Sequence, residues 1–193
     1  MMENVDTYLG QLHDAVDALP RERLAQLGDA LYRTYRNGQQ VFTLGNGGSA
    51  STASHMAADL AKNTISANMR RFRILSLNDN QALLTALAND LGYENVFSEQ
   101  LKNLIRPGDL LVAISASGNS PNVLNAIRYA QRQCAEVVGI LGFEGGEAAR
   151  LADLSIIVRC RHYGVVEDVH LVINHILVDY FGRRLADDRG WLV

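Results

Sequence analysis

The chain has 193 residues, 48% of them hydrophobic and 20% charged, which suffices for one domain with a sizeable core. The formal net charge of −3, without a run of lysine or arginine, argues against a nucleic-acid surface, and no apolar segment is long enough to cross a bilayer. The first residues do not resemble a signal peptide and the two cysteines, Cys134 and Cys160, match no metal or redox spacing, so we expect a cytoplasmic protein with reduced cysteines.

Two amphipathic helices are predicted before the first strand, in residues 1–38. Leucine and valine repeat at alternating spacings of four and three residues from Val5 to Leu19, which makes a narrow apolar seam that ends at Pro20. A second helix stops at Asn37-Gly38, a typical C-terminal cap. Because a parallel sheet can form without such a pair, we expect this N-terminal extension to pair with another subunit. The alternative is that the two helices cover one face of their own sheet.

From residue 39 onward, short apolar strands alternate with helices. Strands are predicted at residues 41–44, 72–77, 109–115, 137–141 and 154–158, and helices at residues 49–62, 80–91, 96–105, 120–133, 147–152 and 165–185. The pattern predicts an α/β fold, a doubly wound and mostly parallel five-stranded sheet with helices on both faces, in one domain over residues 1–193. Ligands of such sheets bind beyond the carboxyl ends of the strands.

The first strand leads into residues 45–49, Gly-Asn-Gly-Gly-Ser, and a helix follows without a break. At such a turn the backbone N–H groups converge, and the helix start adds unpaired N–H groups and the positive end of its dipole. Two further hydroxyl residues, Ser51 and Thr52, supply donors at the same place. The segment therefore predicts an anion site.

The third strand leads into a second loop of the same kind, residues 115–121, Ser-Ala-Ser-Gly-Asn-Ser-Pro. Ser120 suits the cap of the following helix and Pro121 its first position. Hydroxyl and N–H groups again collect at a helix start, with no carboxylate nearby. One such loop is weak evidence, because caps and turns use the same residues, but two loops on one sheet predict a phosphate or a similar anion.

Two other phosphate motifs must be weighed against this interpretation. Gly45, Gly47 and Ala50 fit the relaxed dinucleotide fingerprint, which expects an acidic residue about 20 positions further on. The candidate here, Asp79, follows Gly45 by 34 positions, and the fingerprint leaves the second loop unexplained. A P-loop is excluded because no Gly-Lys-Ser/Thr follows at the required spacing. A phosphosugar, its polyol held by asparagine and aspartate side chains, explains more of the residues.

Titratable residues accompany the anion site. His55 and Asp59 stand four apart, on one face of the helix that follows the first loop. The last helix is apolar nearly all round, yet it carries five polar residues: Glu167, Asp168, His170, Asn174 and His175. Buried ionisable groups need partners or a metal, and two imidazoles with two carboxylates suit Zn²⁺ as well as acid–base chemistry. Glu167 and His175 lie roughly 12 Å apart along the helix axis, so both reach one ion only with extended side chains, or each serves a different subunit's site.

These motifs together resemble the SIS (sugar isomerase) domain family and, within it, the sedoheptulose 7-phosphate isomerases, also called phosphoheptose isomerases. The resemblance rests on residues 45–49 with His55, on Ala88-Asn89-Asp90, and on residues 114–123 and 167–175. It covers nearly the whole chain, including the helical extension and the long last helix. The motif set is specific for phosphosugar-binding SIS proteins and less specific for the substrate.

The resemblance implies a homotetramer with active sites at subunit interfaces and an aldose–ketose interconversion through an enediol. The expected reaction converts sedoheptulose 7-phosphate into D-glycero-D-manno-heptose 7-phosphate. It implies catalytic roles for Asp59 and His175, and one Zn²⁺ per subunit held by His55, Asp59, Glu167 and His175. The implied substrate-binding residues, with the phosphate on the serines, are Asn46, Gly47, Gly48, Ser49, Asn80, Asn89, Asp90, Ser115, Ala116, Ser117, Ser120 and Glu167.

Two positions depart from the family pattern. Asp59 stands where these isomerases carry a catalytic glutamate, which withdraws the carboxylate by one methylene, and a misplacement of about 1 Å can cost roughly 10²-fold in rate. Glu167 stands where they carry a metal-binding glutamine, and its charge would tighten a metal site. The alternative function is therefore a non-catalytic SIS protein that binds phosphosugars as a regulator, or a partner protein of the replication-initiator-binding type. Retention of four such groups favours an enzyme.

Overall fold

The structure is a computed structural model that describes residues 1–67 and 69–187. The strands are β1 (Val41–Leu44), β2 (Ile74–Ser76), β3 (Leu110–Ser115), β4 (Glu136–Gly142) and β5 (Leu154–Val158). The helices are α1 (Met2–Asp17), α2 (Arg21–Asn37), α3 (Gly48–Lys62), α4 (Gln81–Leu91), α5 (Val96–Leu104), α6 (Pro121–Arg132), α7 (Ala148–Leu151) and α8 (Tyr163–Asp187), with a 3₁₀ turn at Tyr93–Asn95. The predicted domain end at residue 193 lies outside the described residues.

The five strands form one sheet in the order β2-β1-β3-β4-β5, and every neighbouring pair is parallel. The chain adds β2 on one side of β1 and then crosses back to add β3, β4 and β5 on the other side. The predicted α/β, doubly wound parallel sheet is confirmed. Its switch point lies between β1 and β3, and the two loops singled out from the sequence leave these two strands, where such sheets bind ligands.

Strand β2 is shorter than predicted. The sequence suggests residues 72–77, but only Ile74–Ser76 pair as a strand. Because β2 is an edge strand with β1 as its neighbour in the sheet, Leu75 remains half-exposed, while Phe72 turns into the core beside Tyr35 and Phe181. The apolar run at 72–77 thus reflects core packing as well as strand pairing.

The N-terminal extension packs on its own chain through α2. Leu27, Leu31 and Tyr35 of α2 join the buried cluster on one face of the sheet, together with residues of α3 and α8. The alternative interpretation of the sequence is therefore correct for α2. In α1, Val5 and Leu9 of the apolar seam are exposed, so that part of the extension has no partner within the described residues of this chain.

The long helix α8 crosses the same face of the sheet and is packed against α1 and α3. Its residues Val165, Val169 and Ile173 are fully buried, which explains its apolar composition. No helix in the described parts of the chain is long and apolar enough to cross a membrane.

His170 lies on the buried side of α8 and is fully inaccessible to solvent. Within residues 1–67 and 69–187, neither ring nitrogen has a hydrogen-bond partner. Burial lowers the pKa of His170 to about 4, although the Leu141 backbone acts in the opposite direction. The ring is therefore neutral in the folded protein at neutral pH, whereas in the unfolded chain a histidine accepts a proton near pH 6.5.

This difference predicts that His170 makes folding sensitive to mild acid. Between about pH 6.5 and pH 4 only the unfolded chain protonates this residue, so stability falls as the pH falls. Between pH 7 and pH 5, the free energy of unfolding should therefore decrease by about 2 kcal/mol less in His170→Leu than in the wild type. Urea unfolding of both proteins at the two pH values, in the presence of a chelator, measures this difference.

The control is His13, an exposed histidine that lies 3.4 Å from Asp17 on the surface of α1. His13→Gln should change the pH dependence of unfolding less than His170→Leu does, because an exposed ion pair contributes little to stability. Equal pH dependence in His170→Leu and the wild type would show that the buried ring is protonated or hydrated in the folded state.

Candidate active site

The first loop connects β1 to α3, and at the start of α3 its backbone lies close to the side chain of Glu167. Gly47 occupies the N-cap of α3 with a φ of 56°, a conformation that favours glycine. A Cβ on Gly48 would lie 2.4 Å from the Glu167 carboxylate, so a side chain at the first residue of the helix would have to displace the end of Glu167. Glu167 thus places a negative charge at the positive end of α3.

A reciprocal pair of amides ties the two loops together. The Asn46 Nδ2 donates to Asn122 Oδ1 at 2.9 Å, and the Asn122 Nδ2 donates to Asn46 Oδ1 at 2.8 Å. The hydroxyl of Tyr93 also donates to Asn46 Oδ1. Asn122 and Tyr93 were not predicted as site residues, since nothing in their local sequence shows that they reach a loop about 50 to 80 positions away.

The second loop, after β3, holds its serine hydroxyls in place by backbone hydrogen bonds. The N–H of Gly118 donates to Ser115 Oγ at 3.1 Å, and the N–H of Asn119 donates to Ser117 Oγ at 3.3 Å. A serine hydroxyl accepts and donates at the same time, so both O–H groups remain able to donate to an anion. Ser120 is the half-buried N-cap of α6, and its side chain makes no capping hydrogen bond.

Close packing makes this second loop rigid. Gly118 has a φ of 63°, and a Cβ there would lie 2.0 Å from the carbonyl oxygen of Gly145. Ala116, predicted as a substrate-binding position, is buried and packs in the core cluster. The loop is therefore packed closely against residues 142–146, and the Ala116 side chain belongs to the core.

Three titratable residues meet between α3 and α8. His55 Nε2 lies 3.1 Å and His175 Nε2 3.8 Å from Asp59 Oδ2. The two imidazole rings approach edge to face, with centroids 5.2 Å apart. Asp59 is largely buried, with 15% of its side chain exposed, whereas the histidine side chains are 44% and 55% exposed. The cluster therefore opens to solvent through its histidines.

Glu167 does not join this cluster. One ligand atom from each of His55, Asp59 and His175 lies within 4.8 Å of the others, but the described structure holds the Glu167 carboxylate against Gly48. The reason is geometric, because α3 and α8 run in the same direction. Their first turns meet at Gly48 and Glu167, and later turns meet at Asp59 and His175. The predicted set of four thus splits into a set of three and one carboxylate at the first loop.

The remaining predicted residues lie on α4. Asn80 caps this helix, its Oδ1 accepting from the N–H of Leu83 at 3.1 Å. Asn89 and Asp90 are exposed near the other end, where the Asn89 amide donates to the Asp90 carboxylate. Within the described residues no hydrogen bond joins these three side chains to the serine loops or to the histidine cluster.

Helix α1 contacts the first turn of α8 beside this site. The Tyr8 hydroxyl donates to Asp168 Oδ2 at 2.6 Å, and this hydrogen bond raises the pKa of Tyr8 to about 12. Tyr8 was not predicted as a site residue. The contact holds the N-terminal extension next to Glu167, so α1 forms part of the rim of the candidate site.

This arrangement, two serine and glycine loops at the switch point of a parallel sheet and a histidine–aspartate cluster between α3 and α8, matches one class of sugar-phosphate domain. The sequence model of the SIS domain matches residues 7–142, and the chain belongs to the SIS domain family. A phosphoheptose isomerase of Geotalea daltonii is 34% identical over 98% of this chain and 100% of its own length. Another, from Mycobacterium bovis, is 40% identical over 90% of this chain and 88% of its own.

A solved structure supports the same assignment. Phosphoheptose isomerase GmhA from Neisseria gonorrhoeae is 28% identical and superposes with a TM-score of 0.86, covering 93% of this chain and 97% of that one. Within the SIS domain family, the chain belongs to the phosphoheptose isomerases. The family resemblance inferred from the sequence motifs is thereby confirmed.

The contact between Gly48 and Glu167 yields a prediction. Gly48→Ala would place a methyl group where the Glu167 carboxylate lies, and because this carboxylate is the flexible end of its side chain we expect only a small loss, about 0.5–1 kcal/mol, in the free energy of unfolding. Glu167→Ala removes the obstacle, so the double variant should recover most of the loss. Denaturant unfolding of the four proteins measures the coupling between the two positions. Additive effects would mean that Glu167 does not lie over Gly48.

Proposed function

We propose that this protein is a sedoheptulose 7-phosphate isomerase, which interconverts the ketose and D-glycero-D-manno-heptose 7-phosphate through an enediol. The observation that carries the proposal is the cluster of His55, Asp59 and His175, the first two of which lie on α3, the helix that leaves the first anion-binding loop. The full-length similarity to proteins named phosphoheptose isomerase supports the substrate.

The serine loops account for binding of the phosphorylated end. The hydroxyls of Ser115, Ser117 and Ser120 can donate to phosphate oxygens, and the start of α6 adds N–H groups and a positive dipole end. Ser49 opens α3 at the neighbouring loop, with Asn46 held in place by Asn122. We assign the polyol to the first loop and to Asn80, since these groups lie at the same carboxyl edge of the sheet.

The histidine–aspartate cluster accounts for the proton transfers. Aldose–ketose isomerisation removes a proton from C1 of the ketose and returns one to C2, while a proton moves between the two oxygens. We assign the transfer of the proton between C1 and C2 to the Asp59 carboxylate, and the transfer of the proton between the two oxygens to His175. His175 is accessible, and its Nε2 lies 3.8 Å from the carboxylate, so one bound sugar can contact both groups.

The same residues fit a metal ion. Two imidazole nitrogens and one carboxylate oxygen within 4.8 Å of one another match the three protein ligands of a catalytic zinc site. We propose that His55, Asp59 and His175 hold one Zn²⁺ per subunit. Glu167 remains a predicted fourth ligand, but its carboxylate would have to move away from Gly48 to reach the ion. A bound Zn²⁺ would polarise the carbonyl group and stabilise the enediolate charge.

We infer that the active unit is a homotetramer with sites completed across subunit interfaces. The exposed seam residues Val5 and Leu9 of α1 support an interface, as does an apolar groove of about 490 Å³ between α1, α2 and α8. Asn89 and Asp90, which lack a contact to the described site of their own chain, are available to the site of another subunit. The cytoplasmic location stays a prediction.

The isomerase activity predicts a specific product. Incubation of sedoheptulose 7-phosphate with the protein in D₂O, with Zn²⁺, should give the aldoheptose 7-phosphate with deuterium at C2, as read by NMR. His175→Ala should lower the rate by about 10²- to 10⁴-fold, because an acid–base group is lost. The exposed His13→Gln serves as the matched control. Binding of the sugar phosphate without conversion under any metal condition would favour the regulatory alternative.

The phosphate assignment predicts a different kinetic change. Ser117→Ala and Ser120→Ala together should raise KM about tenfold or more with a smaller effect on kcat, since they bind a group remote from the reacting carbons. Steady-state kinetics with varied substrate measure both constants. Ser155→Ala, on β5 and away from both loops, is the control. An unchanged KM would contradict phosphate binding at the second loop.

The interface assignment predicts a change in mass. The wild type should sediment as a tetramer, and Leu9→Glu, which places a charge in the exposed seam of α1, should shift it to smaller species. Leu104→Glu replaces another exposed leucine, on α5, and should leave the mass unchanged. A stable, active wild-type monomer would rule out interfacial sites.

A further inference from the structure

Asn174 is a buried polar residue in the apolar interior of α8, one position before His175. It is fully inaccessible to solvent, between the buried Ile173 and Leu177. Its Nδ2 donates to Asp59 Oδ2 at 2.9 Å. Its Oδ1 has no hydrogen-bond partner among the described residues.

Asn174 acts on the oxygen around which the cluster is arranged. Asp59 Oδ2 is the atom that faces both His55 Nε2 and His175 Nε2. The other oxygen, Oδ1, accepts from the Asn63 amide at 3.0 Å, on the exposed side of α3. The terminal torsion of an aspartate is soft, so these two amides decide which oxygen points between the histidines.

The two amide contacts differ in how easily water replaces them. Asn63 is exposed, so water can take its place on Oδ1. Asn174 is fully inaccessible to solvent, so water cannot simply take its place on Oδ2. The hydrogen bond from Asn174 therefore constrains the carboxylate more strongly.

If stability were its only role, an asparagine at position 174 would be unfavourable. A buried oxygen without a partner costs free energy, and an apolar side chain of similar size would avoid that cost. Local rules of packing are broken mainly where a functional group has to be held. The amide is therefore explained by what its N–H does for Asp59.

We propose that Asn174 is a positioning residue for this site, which rests on the isomerase function proposed above. Its amide holds Asp59 Oδ2 between the two histidines before metal or substrate binds. Aspartate is one methylene shorter than glutamate, and the hydrogen bond from α8 draws its carboxylate to the shared position. Carboxylate ligands of metals are commonly held by such hydrogen bonds, whose loss costs about 10- to 100-fold in affinity or activity.

The test compares Asn174→Leu with the wild type. Zn²⁺ affinity, measured by competition with a chromophoric chelator, should fall about 10- to 100-fold. The kcat should fall by a similar factor, and KM for the sugar phosphate should change less than twofold because the serine loops are untouched. The stability of the metal-free variant should be equal to or higher than that of the wild type, since an unpaired buried oxygen is removed.

Two controls separate positioning from a general defect. Asn63→Ala removes the exposed amide from the same carboxylate and should change Zn²⁺ affinity less than twofold. In an Asp59→Ala background, Asn174→Leu should not weaken the residual Zn²⁺ affinity further, because Asn174 acts through Asp59. A further loss there, or wild-type affinity in Asn174→Leu itself, would overturn the proposal.

A failure of the isomerase proposal is distinguishable from a failure of this one. If the wild type neither binds Zn²⁺ nor converts the sugar, the function proposed above is wrong. Crystal structures of the metal-free wild type and Asn174→Leu then decide the role of Asn174. An Asp59 carboxylate that turns away from the histidines in the variant supports positioning, and an unchanged side chain overturns it.

Discussion

The packing of α3 against α8 is the constraint on which the candidate site depends. The two helices run in the same direction on one face of the sheet, so each turn of one helix contacts a fixed turn of the other. At the start of both helices, Gly48 leaves room for the Glu167 carboxylate. Further along, Asp59 accepts a hydrogen bond from Asn174 and lies beside His175. A rotation of either helix by one residue, about 100°, would separate both pairs.

The site also shows how a buried helix can carry polar groups. Most of α8 is apolar because it lies against the sheet and two other helices. Its polar exceptions differ in their environment. Glu167 lies at the positive end of α3, Asn174 donates to Asp59, and His170 stays neutral because burial lowers its pKa to about 4. Burial of His170 and of the Asn174 amide costs folding free energy unless a partner compensates for it.

The two departures from the family pattern have different structural consequences. Asp59, although shorter than glutamate, lies between both histidines, because buried and exposed amides hold its two oxygens. Glu167 instead lies against the glycine loop and away from the cluster. Two relatives named phosphoheptose isomerase are 34% and 40% identical to the chain, and a solved phosphoheptose isomerase shares its fold with a TM-score of 0.86.

The sequence by itself determined the elements of this protein. Alternation of apolar strands and helices gave the parallel sheet, glycine and serine clusters located both loops, and a spacing of four residues placed His55 and Asp59 on one face. These signals are local, because they depend on backbone preferences and helical periodicity. Only the tertiary structure decided that Asn46 pairs with Asn122, that Asp59 meets Asn174, and that Glu167 contacts Gly48. Such contacts join residues 76 to 119 positions apart, and packing on the sheet, which no local pattern encodes, sets how the helices carrying them face one another.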